Sequence, residues 1–199
     1  MLFRSEGGWW CVPAEAAAVA PVVGLDLTRR HAPAPHARPS DLPGAVRIGP
    51  LDADAVRRVV VTLAAAEAAG VARWCLETAV DYAKVREQFG RRIGSFQAVK
   101  HLCAQMLETA EAVTAAAWDA ASAAANHVEQ ADTAEQWDFA VDVAAVTCFE
   151  GAISAVTTCI QVLGGIGFTY EHDAHLYLRR AHALAALAGA PDEIGRAHV

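Results

Sequence analysis

Apolar residues in this chain follow different rules on either side of residue 50. From 51 to 188 they recur every three or four positions, alanine fills many of the gaps and proline is absent. That is the period of an amphipathic helix, built from the strongest helix former. Four helices are predicted. The first covers 52–84 and opens at Asp52, a good N-cap, with Val56, Val60, Leu63, Ala64, Val71, Leu76, Ala79 and Val80 at its apolar positions. The second covers 95–126 through Val99, Leu102, Cys103, Met106, Leu107 and Val113. The third covers 133–163. Thr133 and Gln136 stand at capping-box spacing at its start, and Gly164-Gly165 stop it. The fourth covers 173–187. Long helices with short connections predict a mainly α fold, an antiparallel four-helix bundle.

Before residue 50 the pattern breaks. Pro13, Pro21, Pro33, Pro35, Pro39, Pro43 and Pro50 forbid a long helix. Short β-like runs remain at Trp9-Trp10-Cys11-Val12, from Val19 to Leu27, and at Ala45-Val46-Arg47-Ile48. A few short strands do not close a core alone, so this part reads as the remnant of a β-domain. Residues 1–5 and 193–199 extend no strand or helix pattern, and each end resembles a translated cloning adapter. The expectation is a gene fragment with artefactual ends. The predicted organisation is 1–50 as the end of a β-domain, 51–192 as the helical bundle and 193–199 as an artefactual tail.

Composition narrows the function. The 199 residues are 54% hydrophobic and carry a net charge of −7, against a nucleic-acid binder with its basic stripe. Five cysteines without Cys-x-x-Cys spacing predict neither a disulfide framework nor a zinc site. They read as small core residues in a reducing compartment. Arg4 and Glu6 interrupt any leader-like stretch, and the apolar run 59–72 is broken by Glu67 and shorter than a bilayer requires. A cytoplasmic protein with no membrane partner is expected. Glu171, His172, Asp173 and His175 group potential metal ligands, but a helix start explains them and no metal is expected. Trp74, Trp118 and Trp137 read as packing residues. His101 reads as a surface or satisfied group, and Glu108 and Glu111 as a solvated face.

Two loops carry candidate chemistry. In Arg86-Glu-Gln-Phe-Gly-Arg-Arg-Ile-Gly-Ser95, two glycines break a helix beside three arginines, and a new helix starts. Such a junction can seat a phosphate, or it can be an ordinary helix–helix turn with solvated arginines. In Gln161-Val-Leu-Gly-Gly-Ile-Gly-Phe168, glycines between helices allow close backbone approach to a ligand. They can equally be a C-cap with a tight connection.

Together the loops are more specific. Arg-x-Gln-Phe-Gly, Ile-Gly-x-Phe-Gln and Gln-x-x-Gly-Gly-x-Gly-Phe, in that order, resemble the C-terminal domain of the flavin-dependent acyl-CoA dehydrogenases. Leu25-Asp-Leu-Thr-Arg-Arg30 also resembles the close of that family's middle β-domain in actinobacterial forms. The resemblance covers roughly residues 6 to 190. It implies α,β-dehydrogenation of an acyl-CoA to the trans-2-enoyl-CoA, with FAD as cofactor and an electron-transfer flavoprotein as electron acceptor. It also implies assembly with like or sister subunits in a homo- or hetero-oligomer. Arg86, Gln88 and Phe89 would approach the adenine and pyrophosphate end of a neighbouring subunit's FAD, and Gln161, Gly164 and Gly165 would meet the cofactor from the other loop.

The chain departs from the family where the proton is removed. Ala188 occupies the position of the usual catalytic glutamate, and Val60 the position of the alternative one. Leu176 stands where a basic residue is usual and Arg180 where an acid is. The chain is expected to be inactive alone as a fragment of a dehydrogenase, lacking the β-domain that covers the flavin ring and the N-terminal domain; Ala188 and Val60 favour the alternative, a non-catalytic structural subunit that lends FAD contacts to a catalytic sister. Acyl chain length and sterol or fatty character are not legible.

Overall fold

The computed structural model describes residues 2–5, 8–17, 20–29, 38–49, 52–130 and 133–188. The chain divides into two compact units, residues 1–57 and 58–199.

In the first unit, β1 (Leu2–Ser5), β2 (Gly8–Cys11) and β3 (Val46–Ile48) form an antiparallel sheet in the order β1-β2-β3. Phe3 pairs with Trp10, and Trp10 with Arg47. The expectation that residues 1–5 extend no element is corrected for 2–5, which supply an outer strand. The run from Val19 to Leu27 is not a strand: among its described residues only Val22 makes an isolated bridge. Asp26 holds it as a turn instead, accepting hydrogen bonds from the Thr28 amide at 2.9 Å and hydroxyl at 2.7 Å. A one-turn helix, α1 (Ala14–Ala17), follows β2. Gly44 turns at φ +72°, where a Cβ would press on Pro13 at 3.1 Å.

The second unit is the bundle, with α2 (Ala53–Val85) from Arg58 onward, α3 (Gln97–Glu129), α4 (Ala134–Leu163) and α5 (Ala174–Ala188). Asp52 caps α2 as expected, its carboxylate accepting from the Asp54 amide at 3.2 Å. The capping box at α4 does not form. The Thr133 hydroxyl donates to the Gln130 carbonyl instead, at 3.0 Å, leaving the α4 start without a side-chain cap. A serviceable spacing thus loses to a nearer carbonyl.

α4 carries more buried residues than any other helix of the bundle, and its core face holds Trp137, Val141, Cys148, Phe149, Val156, Ile160 and Leu163 among many alanines. Against it lie Val61, Ala65, Ala68, Ala72 and Ala79 of α2, Met106, Ala110, Val113 and Ala120 of α3, and Ala181 and Leu184 of α5. Small side chains let the helix backbones approach closely. Gly151 shows how closely, since a Cβ there would lie 2.4 Å from Val113 Cγ2. By length and apolarity α2 and the segment Ala134–Phe168 could each cross a membrane, beyond the shorter run weighed from the sequence. Both contribute their apolar residues to this core. Leu63, expected inside, is 67% exposed, and Trp118, expected to pack, is 70% exposed.

Polar ties fix the helix register. Arg58 binds the Asp138 carboxylate at 2.8 and 3.0 Å and lies over the Trp137 ring, whose indole N–H donates to the Thr62 hydroxyl at 3.1 Å. Glu111 pairs with Arg73. Trp74 stacks on Tyr177 with ring centres 3.6 Å apart, 6° from parallel. Cys75, Cys148 and Cys159 are buried as expected, Cys103 is half-buried and Cys11 is exposed, all as free thiols. A hydrogen bond to Cys159, reinforced by burial, holds the Cys75 thiol protonated. Burial pushes Cys148 up to about 12.

Two outcomes follow. Gly151→Ala should destabilise the bundle by about 1–3 kcal/mol, the usual cost of overpacking, and thermal unfolding would show a drop of about 2–4 °C per kcal/mol at this chain length. The raised Cys148 pKa means that the unfolded state loses that proton first. Its contribution is intact below pH ~9 and fades as pH rises toward 12. Urea unfolding at pH 8 and pH 10.5 should show this loss, and Cys148→Ala should shrink it; an unchanged slope would remove Cys148 from the account.

Candidate functional site

α2 and α4 run side by side in the same direction, because Arg58 meets Asp138 near their starts and the Cys75 and Cys159 thiols meet toward their ends. Their C-termini therefore emerge at one end, and both candidate loops leave from there. The two glycine-rich segments share an end by topology.

The first loop is a hairpin rather than a simple break. β4 (Glu87–Gln88) pairs with β5 (Arg91–Arg92), Gln88 opposite Arg91. Phe89 and Gly90 make the two-residue turn, with φ of +55° and +74°. Positive φ at both positions is the type I′ arrangement that matches strand twist and favours Asn-Gly or Gly-Gly. Phenylalanine there is strained by about 1 kcal/mol. The residue is 93% exposed, so burial does not repay that cost within this chain. Strain kept on an exposed aromatic points to a use for the ring.

Around it, Arg86, Gln88, Arg91 and Arg92 are all exposed. Arg91 lies over the Phe96 ring at 4.1 Å, and Phe96 meets Phe89 edge-on at 6.2 Å. The cation–aromatic contact braces the base of the hairpin. Gly94 lets the chain return past α2, since a Cβ would lie 2.8 Å from the Ala83 carbonyl oxygen. A 3-10 turn at Ile93–Ser95 intervenes, so the second long helix starts at Gln97 rather than at residue 95.

The second loop is a 3-10 turn, Gly164–Phe168. Gly164 takes φ +63° and ψ −137°, open to glycine alone. A Cβ at Gly164 or Gly165 would meet nothing within 4 Å, so this backbone lies open. Gly167 is different: its Cβ would strike the Ile160 carbonyl oxygen at 2.8 Å, which makes it a packing glycine. Gln161, one turn before the loop, is exposed. His172 caps the next helix, its Nδ1 accepting from the Ala174 amide at 3.1 Å. The helix-start reading of that His/Asp/Glu cluster thus has a specific bond.

Guanidinium groups, an exposed ring and open glycine backbone suit a ligand with an aromatic system and phosphates. The sequence exposed Arg86, Gln161 and the glycines as candidates. It missed the hairpin, although Phe-Gly between Gln88 and Arg91 has the two-residue turn length, because Phe is a poor residue for the first turn position.

The proton-abstraction positions remain apolar. Val60 is half-buried on α2, and Ala188 is the last residue of α5. Glu67, the next acid beyond Val60 along α2, is committed elsewhere: its carboxylate makes a close ion pair with Arg180 of α5. This gives Arg180 a role at a position where an acid is usual. Leu176 is half-buried with no charge to offer. The terminal segment 193–199 lies outside the described residues.

Comparison with known proteins agrees with this geometry. The family profile described as acyl-CoA dehydrogenase, C-terminal domain, matches residues 58–199. Acyl-CoA dehydrogenase FadE34 of Mycobacterium tuberculosis is 47% identical over 191 residues, 95% of this chain and 26% of that protein. Acyl-CoA dehydrogenase IpdE2 of Mycolicibacterium smegmatis is 39% identical over 85% of this chain and 48% of its own length. Among solved structures, a variant of the steroid acyl-CoA dehydrogenase Tcur3481-Tcur3483 aligns with a TM-score of 0.79 and 27% identity, covering 96% of this chain and 50% of that one. The chain thus spans about a quarter to a half of the length of these relatives. From its helical bundle to its two glycine loops, it belongs to the acyl-CoA dehydrogenase family.

Proposed function

We propose that this chain is the C-terminal part of a flavoprotein acyl-CoA dehydrogenase subunit, and that its two loops hold FAD at a subunit boundary. Members of the family are FAD-dependent. The carrying observation is Phe89, strained at positive φ and almost wholly exposed at the tip of an arginine-bearing hairpin. In this reading the hairpin reaches a neighbouring subunit. Arg86 pairs with the pyrophosphate, Gln88 and Phe89 meet the adenine end, and Gln161 with the open Gly164 and Gly165 backbone approaches from the second loop. When bound, FAD supplies hydride acceptance in the dehydrogenation of an acyl-CoA to the trans-2-enoyl-CoA. The electrons pass to an electron-transfer flavoprotein. Free thiols among the described residues suit a reducing, cytoplasmic setting.

A second reading concerns catalysis: the parent serves as the non-catalytic member of a mixed oligomer. Its support is the absence of a carboxylate at residues 60 and 188, together with the capture of Glu67 by Arg180. The name of the aligned steroid enzyme joins two gene products. FadE34 is also much longer than IpdE2 for a similar matched segment. On this reading a sister subunit brings the base for the α-proton, a contribution of about 10²–10⁴ in rate.

In the reconstituted full-length parent, Arg86→Ala should weaken flavin retention by about 1.5–3 kcal/mol, the worth of a hydrogen bond to a charged group; unchanged flavin fluorescence on dilution would remove Arg86 from the site. Phe89→Asn should separate stability from binding. The variant relieves about 1 kcal/mol of strain and should raise the unfolding midpoint while lowering flavin affinity. A fall in both would mean that Phe89 serves the fold. For the second reading, the parent homomer should fail to bleach bound flavin with any acyl-CoA, and rapid bleaching would locate a base elsewhere.

A further inference from the structure

Two of the five cysteines do more than fill the core. Cys11 lies in the first unit, and the Cys148 thiol donates to the Val113 carbonyl at 3.4 Å, so packing and one hydrogen bond account for it. Cys75 of α2 and Cys159 of α4 differ, because each meets the other. Both are 0% exposed, and the Cys75 thiol donates to the Cys159 sulfur. A thiol is a weak donor and a weak acceptor, so this contact adds little that two more alanines would not. Alanine flanks the pair one turn away, at Ala72 and Ala79 of α2 and Ala155 of α4, all buried. Small neighbours permit the close helix approach that a disulfide demands. A third thiol, Cys103 of α3, is half-buried and near enough to Cys159 for their charges to interact. Cys159 stands two residues before Gln161 and five before Gly164.

We propose that Cys75 and Cys159 form a reversible redox lock: hydrogen peroxide converts the thiol pair to a disulfide that ties α2 to α4 at the end from which both loops leave. The Cys159 sulfur attacks one peroxide oxygen, the O–O bond breaks, and water leaves with the thiol proton, giving a sulfenic acid. The Cys75 sulfur then attacks Cys159, and the sulfenic hydroxyl departs with the Cys75 proton as a second water. Two thiols and one peroxide become one disulfide and two waters, with two electrons passing from sulfur to the O–O bond. The hydrogen bond sets the order of these steps. It pushes the Cys159 thiol down, whereas Cys75 and Cys103 are pushed up, and the readier thiolate is the nucleophile. Peroxide is close to water in size and reaches the buried pair through local opening of the bundle. A low-molecular-weight thiol reverses the lock by exchange, and transient disulfides of this kind are the ones that reducing compartments admit.

The test uses the whole 199-residue chain, reduced, freed of reductant and treated with hydrogen peroxide under native conditions. Trypsin with glutamyl endopeptidase places each of the five cysteines in a separate peptide, so mass spectrometry without reduction reads the pairing directly. A Cys75–Cys159 bridge should dominate. The same treatment in urea should instead favour pairs closer in sequence, such as Cys148–Cys159, because shorter loops close more readily. The bridged chain should unfold about 5–10 °C higher, the shift expected of a disulfide closing a long loop, and dithiothreitol should cancel the gain. Cys148→Ala should leave the bridge in place, and Cys159→Ala should abolish it. The native map needs no variant, so a misfolded substitution does not obscure it. A chain whose Cys75 and Cys159 stay reduced while Cys11 oxidises would overturn the proposal, as would a Cys159 sulfinic acid without a bridge. So would a Cys103–Cys159 bridge, or a lowered unfolding midpoint, since the bond would then strain the bundle rather than lock it.

Discussion

Close approach of helix backbones in the bundle is the constraint on which the rest depends. Alanine at positions such as 65, 68, 72, 110, 120, 144 and 152 leaves little side chain between the axes, and Gly151 removes even the Cβ against Val113. Such a core gains less per residue from apolar area than one of leucine. It compensates through many dispersion contacts at interior packing density. Tight packing also makes register unforgiving, and so Arg58–Asp138, Trp137–Thr62 and the Trp74–Tyr177 stack act as indexing points along α2, α4 and α5. With the register fixed, the two loops are delivered to one end of the bundle without touching the sequence of either.

The bundle was legible because its signals are local. Helical period, alanine content and terminal glycines act within a turn or two, and the four helices begin and end within a few residues of their expected bounds. What escaped depends on distant partners or on competition. The Thr133 hydroxyl found a carbonyl three residues back. Residues 2–5 became a strand because Gly8–Cys11 offered an edge, which no pattern inside five residues reveals. Leu63 and Trp118 are apolar by type yet face outward, since helix period alone does not say which side of an apolar residue-rich helix meets the core.

The candidate site divides in the same way. Arginine and glycine announced the loops by composition, and the family resemblance supplied their ligand chemistry as an expectation. The conformation of Phe89 was invisible from sequence, because an unfavourable residue at a turn position argues against the turn that in fact forms. Strain of this kind is legible only in three dimensions. It is also the observation that best separates a working hairpin from a decorative one.

The clasp between Glu67 and Arg180 has a consequence in time. Its partners are 113 residues apart and join the first long helix of the bundle to the last. A contact of that sequence separation must close a long loop, so it is expected late in assembly. Interactions absent from the folding transition state act chiefly on the escape rate from the native state. Breaking the clasp by Glu67→Gln should therefore steepen loss of structure in the unfolding arm of a chevron and leave the refolding arm in place; a slowed refolding arm would instead put α5 in the nucleus. Since Ala188 ends that same helix, the clasp governs how long the end of α5 stays docked, more than how quickly it arrives.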